Sequence, residues 1–297
     1  MQRHRANDLM TYVIKIIGFI IRGGSVMGKQ LFNLHTHTQR CGHADGTDIQ
    51  YIHSAIDAGL KILGFSEHIP FEEIRISGAR MFIEQKDEYI ASIKKLKKQF
   101  EHEIDIKVGF EIEYLEDHLD YLKEVRKECD YMILGQHLQY ISDSKGIYDY
   151  DCYCSNEDVL TYVEQIETAL QHNLVTYIAH PDYFMQGRRV FSKECEEAAH
   201  RIAKASLKYD IPLEVNLNGF RYGKKTYEIY NRPGIYEERY TYPFREFWEI
   251  ISSYGCKVLY GYDAHSPIAF LEKNRYITAN EILKDIPLNF IENIELK

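Results

Sequence analysis

Seven times along the chain a short apolar run is followed by a stretch with helical periodicity. The predicted strands lie near Leu31–Leu34, then Ile62–His68, Ile106–Glu113, Tyr131–Gly135, Val175–Ala179, Pro212–Asn216 and Lys257–Gly261. Strands that alternate with helices form parallel sheets. The first helix has a readable start: Thr47 and Gln50 make a capping box ahead of Ile49, Ile52, Ile56 and Leu60. Polar residues recur at the C-terminal ends of nearly all the runs. An open, doubly wound sheet gathers its ligand at one switch point. Contributions from all round call instead for a closed or nearly closed (β/α) ring with its site at the C-terminal mouth. Three connections, 69–83, 139–155 and 220–241, follow strands on that face, and their length reads as lids or substrate walls.

The strand-end residues carry one kind of chemistry. His35 and His37 stand at i and i+2 of an extended segment, so their side chains share a face. His43 follows in the next loop, and His68, Glu111, His137, His180, Asp263 and His265 come from later strand ends. Imidazoles with carboxylates suit zinc, manganese or iron. At three or four protein ligands per ion, and with one carboxylate bridging, nine such residues suit about three ions. Any one of these histidines has an everyday alternative, a hydrogen bond to backbone. Their recurrence at strand ends is what points to a metal centre.

Composition bounds the rest. Of 297 residues, 45% are hydrophobic and 27% charged, as in ordinary globular proteins with ample core. Net charge is −9 and no basic block stands out, which argues against a nucleic-acid partner. None of the six cysteines forms a CxxC pair, and the chain is too large to need a disulfide framework. A reducing, cytoplasmic setting is expected. Cys152 and Cys154 read as two thiols in a loop. Leu9–Ile21 is apolar but interrupted by Lys15; it is too short to span a bilayer and lacks a small-residue cleavage site. Residues 1–26 are therefore expected to be an extension outside the fold, with one domain over 27–297 and no membrane partner.

The order HxH…H, EH, GxE, H, HP and DxH resembles the polymerase-and-histidinol-phosphatase (PHP) superfamily, over about residues 30–285. The strings Asn33-Leu34-His35-Thr36-His37-Thr38, Cys41-Gly42-His43, Gly64-Phe65-Ser66-Glu67-His68, Gly109-Phe110-Glu111-Ile112-Glu113-Tyr114, Ala179-His180-Pro181-Asp182 and Asp263-Ala264-His265 resemble its histidinol-phosphatases in particular. The resemblance implies an α/β fold, a distorted seven-stranded (β/α)7 TIM-like barrel, with a trinuclear site. One ion would be held by His35, His37, Glu111 and Asp263. A second would be held by bridging Glu111, His137 and His180, and a third by His43, His68 and His265. Gln136 and Tyr262 depart from the family pattern, where a small residue is commoner beside the ligands.

The implied activity is hydrolysis of L-histidinol phosphate to L-histidinol and phosphate in histidine biosynthesis. The alternatives are another phosphoesterase, acting on phosphotyrosine or a nucleotide, and a non-catalytic metal-binding module. Phosphate monoesters need strong catalysis, up to ~10²¹-fold. Three divalent ions less two carboxylates leave a net charge of about four to polarise a phosphate and to turn a bridging water into hydroxide. Arginine forks match the remaining phosphate oxygens. The candidates are Arg188, Arg189 and Arg221, just past strand ends. Glu113 is a candidate for placing a cationic imidazole or amine, and Asp263 or His265 for protonating the leaving oxygen. Tyr140, Tyr148, Tyr150, Tyr222 and Tyr227 in the long loops read mainly as loop packing, with stacking on an imidazole as the functional alternative.

Overall fold

A computed structural model describes residues 29–142 and 146–297. The expected N-terminal extension, residues 1–26, lies outside the described residues. The first half runs β1 (Phe32–Asn33), α1 (Asp48–Asp57), β2 (Ile62–His68), α2 (Lys86–Gln99), β3 (Asp105–Ile112), α3 (Leu119–Arg126), β4 (Tyr131–Leu134), β5 (Leu138–Ser142) and β6 (Gly146–Asp149). The second half runs α4 (Asn156–Gln171), α5 (Lys193–Tyr209), β7 (Leu213–Asn216), β8 (Lys224–Glu228), β9 (Tyr236–Tyr240), α6 (Arg245–Tyr254), β10 (Lys257–Gly261), α7 (Lys273–Ile282) and β11 (Asn289–Phe290). The capping box read from Thr47 and Gln50 forms at the start of α1.

The fold is α/β on a curled parallel sheet. Strands pair in the order β1-β2-β3-β4, and a second parallel group runs β11-β10-β7. The fifth expected strand, Val175–Ala179, is reduced to single bridges from Ile178 to Leu134 on one side and Leu213 on the other. Thr176 and Ala179 both donate toward β4, to Met132 O at 2.8 Å and Leu134 O at 2.9 Å. A regular ladder repeats every two residues; this step of three breaks it. On the far side Thr36 bridges Ala264, and the Gln30 side chain donates to Tyr260 O (2.7 Å) and accepts from Tyr260 N (2.9 Å).

Alternation along β3 explains how the site is built. Ile106, Val108, Phe110 and Ile112 belong to the large core between sheet and helices. Period two sends Gly109 and Glu111 to the opposite, concave face. There Phe32, Leu34, Tyr131, Ile133, Tyr177, Ala179 and Leu259 form a separate apolar cluster, with Ile291, Ile294 and Leu296 of the tail packed on it. Tyr131 lies so close to β2 that a Cβ on Gly64 would sit 2.2 Å from its hydroxyl oxygen. Gly64→Ala is expected to cost about 1–3 kcal/mol by overpacking, read as a lower denaturation midpoint.

Two of the long connections are not plain loops. The stretch after His137 forms the antiparallel hairpin β5–β6, and the stretch after Phe220 forms β8–β9. Tyrosine favours pleated surfaces, and cross-strand aromatic pairs stabilise them. Tyr140 faces Tyr148 with ring centroids 5.6 Å apart. Gln136 and Tyr262 serve the backbone: Gln136 bonds Tyr114 N, Tyr114 O and Leu138 O, and the Tyr262 hydroxyl donates to Phe270 O.

Candidate metal centre

The strand ends bring His35, His37, His43, His68, Glu111, His137, His180, Asp263 and His265 into one cluster at the rim of the concave face. Glu111 is its hub. It faces His35 Nε2 at 3.3 Å, His37 Nε2 at 3.4 Å, His68 Nδ1 at 2.9 Å, His137 Nε2 at 3.5 Å and His180 Nε2 at 2.7 Å. Asp263 Oδ1 lies 3.2 Å from both His37 Nε2 and His265 Nδ1. His43 Nε2 meets His265 Nε2 at 2.9 Å. His180 and Asp263 adopt positive φ, 28° and 46°, a conformation L-residues seldom take outside functional turns.

The electrostatics divide the cluster. Burial lowers His37, but the close approach of Asp263 Oδ1, the hydrogen bond to Glu67 and the charges of Asp263 and Glu111 outweigh it and raise it to about 9. Burial is likewise outweighed at His35, by Glu214, Asp263 and Glu111, which hold it well above the usual imidazole value. The outer rings go the other way: burial and then the charges of His265 and His37 lower His43 to about 4, and burial with His37 lowers His68. Glu111 and Asp263, pushed up by burial, are pulled far below the carboxylate range by the imidazoles around them.

Divalent metal fits this donor set. His35 Nε2, His37 Nε2, His68 Nδ1, Glu111 Oε2 and Asp263 Oδ1 are buried without a hydrogen bond among the described residues. Buried polar atoms are normally paired; five bare atoms in one cluster have the character of ligand atoms. The donor atoms of His35, His37 and Glu111 lie within 4.8 Å of one another, as do those of His35, His180 and Asp263, and of His37, His68 and His265. Buried Cys41 joins His43 and His265 in a similar group, a neighbour that the free-thiol reading of the sequence passed over.

A carboxylate layer behind the cluster was not foreseen. Glu214 accepts from His35 Nδ1 (2.9 Å) and His180 N (3.1 Å), and Asn216 donates to it at 2.8 Å. Glu67 takes His37 Nδ1 at 3.2 Å and the Thr38 hydroxyl at 2.6 Å. These contacts fix which ring nitrogen faces inward. Their sequence signal was an acid inside an otherwise apolar strand, which burial obliges to find partners. Glu214→Gln is expected to weaken metal affinity about 10–100-fold with the fold intact, measured by competition with a chromophoric chelator.

The candidate substrate groups separate. Glu113 is fully buried, bonding His137 Nδ1 at 3.0 Å and holding both arms of Arg80 at 2.9 Å, so it orients a histidine rather than facing substrate. Arg188 is also buried, its guanidinium committed to Cys154 O, Asn156 Oδ1 and Ser192 Oγ as a staple between α4 and α5. Arg189 is exposed and turns back onto the carbonyls of Gln186 and Arg188. Neither is placed to meet phosphate. Arg221 is exposed and donates to His43 O at 3.3 Å, at the cluster's edge. A cavity of about 210 Å³ opens above the cluster, and Arg80, Asp149, Asp151, Tyr183, Tyr222 and Tyr242 line its walls. Tyr140, Tyr148, Tyr150 and Tyr227 are not among its lining residues.

The profile of the PHP domain matches residues 33–218. Asp263 and His265 lie beyond that match, and the fold returns them to the same cluster. A protein of Schizosaccharomyces pombe named probable histidinol-phosphatase is 24% identical over 264 residues, covering 78% of this chain and 80% of its own. One of Deinococcus radiodurans with the same name is 35% identical over 109 residues, 36% of this chain and 42% of that protein. The fold is similar to a crystal structure from Lactococcus lactis described as histidinol phosphate phosphatase complexed with zinc, L-histidinol and phosphate. Its TM-score is 0.63 at 18% identity, covering 90% of this chain and 99% of that one.

Proposed function

This chain belongs to the PHP domain family, and from that premise we propose that it is a metal-dependent phosphomonoesterase that hydrolyses L-histidinol phosphate to L-histidinol and phosphate. The observation that carries the reading is the ring of five imidazoles around Glu111, with buried donor atoms left bare at its centre. The relatives' names supply the ester.

In this reading the site takes three divalent ions, zinc, manganese or iron, at the mouth of a distorted seven-stranded ring. His35, His37, Glu111 and Asp263 hold one; Glu111, His137 and His180 hold the second; His43, His68 and His265 hold the third. When bound, such ions polarise phosphate oxygens and acidify water near neutral pH. The chain does the rest. Glu214, Glu67 and Glu113 keep the inner rings turned with one nitrogen inward. Arg221 swings from the His43 carbonyl to a phosphate oxygen. Asp263 or His265, at the floor of the cavity, passes the proton released by the attacking water to the leaving ester oxygen. Among the described residues no helix is long and apolar enough to cross a membrane, and all six cysteines are unpaired.

Phosphate release from L-histidinol phosphate, beside phosphotyrosine and nucleoside phosphates, tests the reading after reconstitution with zinc or manganese. Selective release from histidinol phosphate, lost on chelation, is expected. Release from another ester alone would move the specificity, and no release from any would sink the catalytic reading. Arg221→Ala is expected to raise KM about 10–100-fold, the value of one charge-assisted hydrogen bond. Unchanged kinetics would return Arg221 to the surface.

A further inference from the structure

The cavity above the metal cluster has two chemically different ends. Its floor is made of cluster histidines and Asp263, the end that suits an anionic phosphate. Its wall carries two carboxylates, Asp149 and Asp151, which neither motif nor spacing singled out. The hairpin that bears them grows directly out of the floor. Leu138, the residue after His137, pairs in register with Asp149, and Tyr150 N donates to His137 O at 2.9 Å. Asp149 is thus anchored one residue beyond a floor histidine.

No described basic side chain forms an ion pair with either acid of this pair. Arg80 also lines the cavity, but its guanidinium is committed to Glu113 through two bonds of 2.9 Å and to Ile69 O at 2.8 Å. Lys225, whose charge reaches Asp151, is bonded by its ammonium to the backbone and side-chain oxygens of Gln186 at 3.0 Å. Asp151 Oδ1 is buried without a hydrogen bond among the described residues. Burial, and then the charge of Asp151, raises Asp149 above the usual carboxylate value, and the opposing charges of His137 and Arg80 only partly offset it. Three tyrosines complete the wall. The Tyr183 ring stands 4.8 Å from that of His137 and 5.0 Å from that of His180, and 6.0 Å from that of Tyr242. Aromatic faces beside carboxylates favour an organic cation.

We propose that Asp149 and Asp151 are specificity-determining residues that select phosphate monoesters carrying an ammonium or imidazolium at the end remote from the phosphate. The inference rests on the phosphatase reading and deepens it. The floor takes the anion, the wall takes the cation, and the cavity admits only a small ester between them. Esters without a cation gain nothing from the wall, and polyanions are repelled by it.

The test compares Asp149→Asn and Asp151→Asn with wild type, using the full chain reconstituted with zinc. L-Histidinol phosphate serves as the ester with a cationic alcohol group and p-nitrophenyl phosphate as the ester with a neutral one. The ratio of kcat/KM, cationic over neutral, is expected to fall about 10–100-fold in each variant. A ratio unchanged in both overturns the proposal. Calorimetric titration with L-histidinol reads the wall without turnover: wild type should bind it, and each variant at least about 10-fold more weakly. Failure of wild type to bind L-histidinol, or equal binding by both variants, also overturns the proposal. If wild type releases phosphate from neither ester, the phosphatase reading fails separately, and the titration still decides the carboxylates.

Discussion

Glu111→Gln is expected to abolish phosphate release, by about 10³-fold or more, because several kcal/mol of charge stabilisation leaves with the carboxylate. The side chain keeps its size, so packing is spared and the effect is one of charge. Five imidazoles lose the anion they surround. One Gln oxygen can still face a cation, but the amide nitrogen on the other side repels it. Metal content should drop with turnover while far-UV circular dichroism stays native. Near-normal turnover at full metal content would remove Glu111 from the centre of the site.

Gly135→Ala should damage the same centre without touching a ligand. A Cβ there would lie 2.0 Å from Glu111 Oε1 and 2.5 Å from its carboxyl carbon. Glu111 cannot step aside, since histidines hold it from several directions. The backbone at Gly135 is pinned too, donating to Ile112 O at 2.9 Å. Overpacking of this kind costs about 1–3 kcal/mol, and here the relief available is displacement of the carboxylate. The variant should therefore lose metal as well as stability. Gly64→Ala is the comparison: its clash is with Tyr131 and Leu34 Cδ2 and with no ligand side chain, so it should lose stability with metal stoichiometry much less affected. Full metal binding by Gly135→Ala, at wild-type stability, would contradict the arrangement.

Much of this was legible in the sequence because metal ligands at strand ends leave a residue-type signature that survives without knowing any contact. His35 and His37 announce their common face by spacing alone. The strand Ile62–His68 is found where its apolar run lies, and Thr47 with Gln50 caps α1 as read. What the sequence hid were choices of partner. Three arginines in suggestive loops looked alike. Only the fold reveals that Arg188 is consumed as a staple, and which residue of the 69–83 connection, Arg80, lines the cavity. Glu113 and Glu214 look equivalent as acids in apolar strands, and nothing local says which histidine each will turn. The fifth strand failed for a subtler reason: its composition suits a strand, but the hydrogen-bond step between Thr176 and Ala179 breaks the ladder. The tyrosine-rich hairpins read as loops in the sequence because their strands pair chiefly with each other and not with the parallel sheet.

That self-pairing has a consequence for how such an enzyme can change. β5 bonds β6 and β8 bonds β9, and neither hairpin joins the parallel sheet. Each has its own internal ladder outside that sheet, and β8 is tied down besides by Glu228 N to Arg189 O (2.9 Å) and the Tyr227 hydroxyl to Met185 O (2.8 Å). The metal-bearing floor and the ligand-choosing rim therefore answer to different stretches of chain. A new hairpin that kept only the bond from the residue after its second strand to His137 O could change the rim and leave Glu111 in place, so chemistry can be inherited while appetite is exchanged.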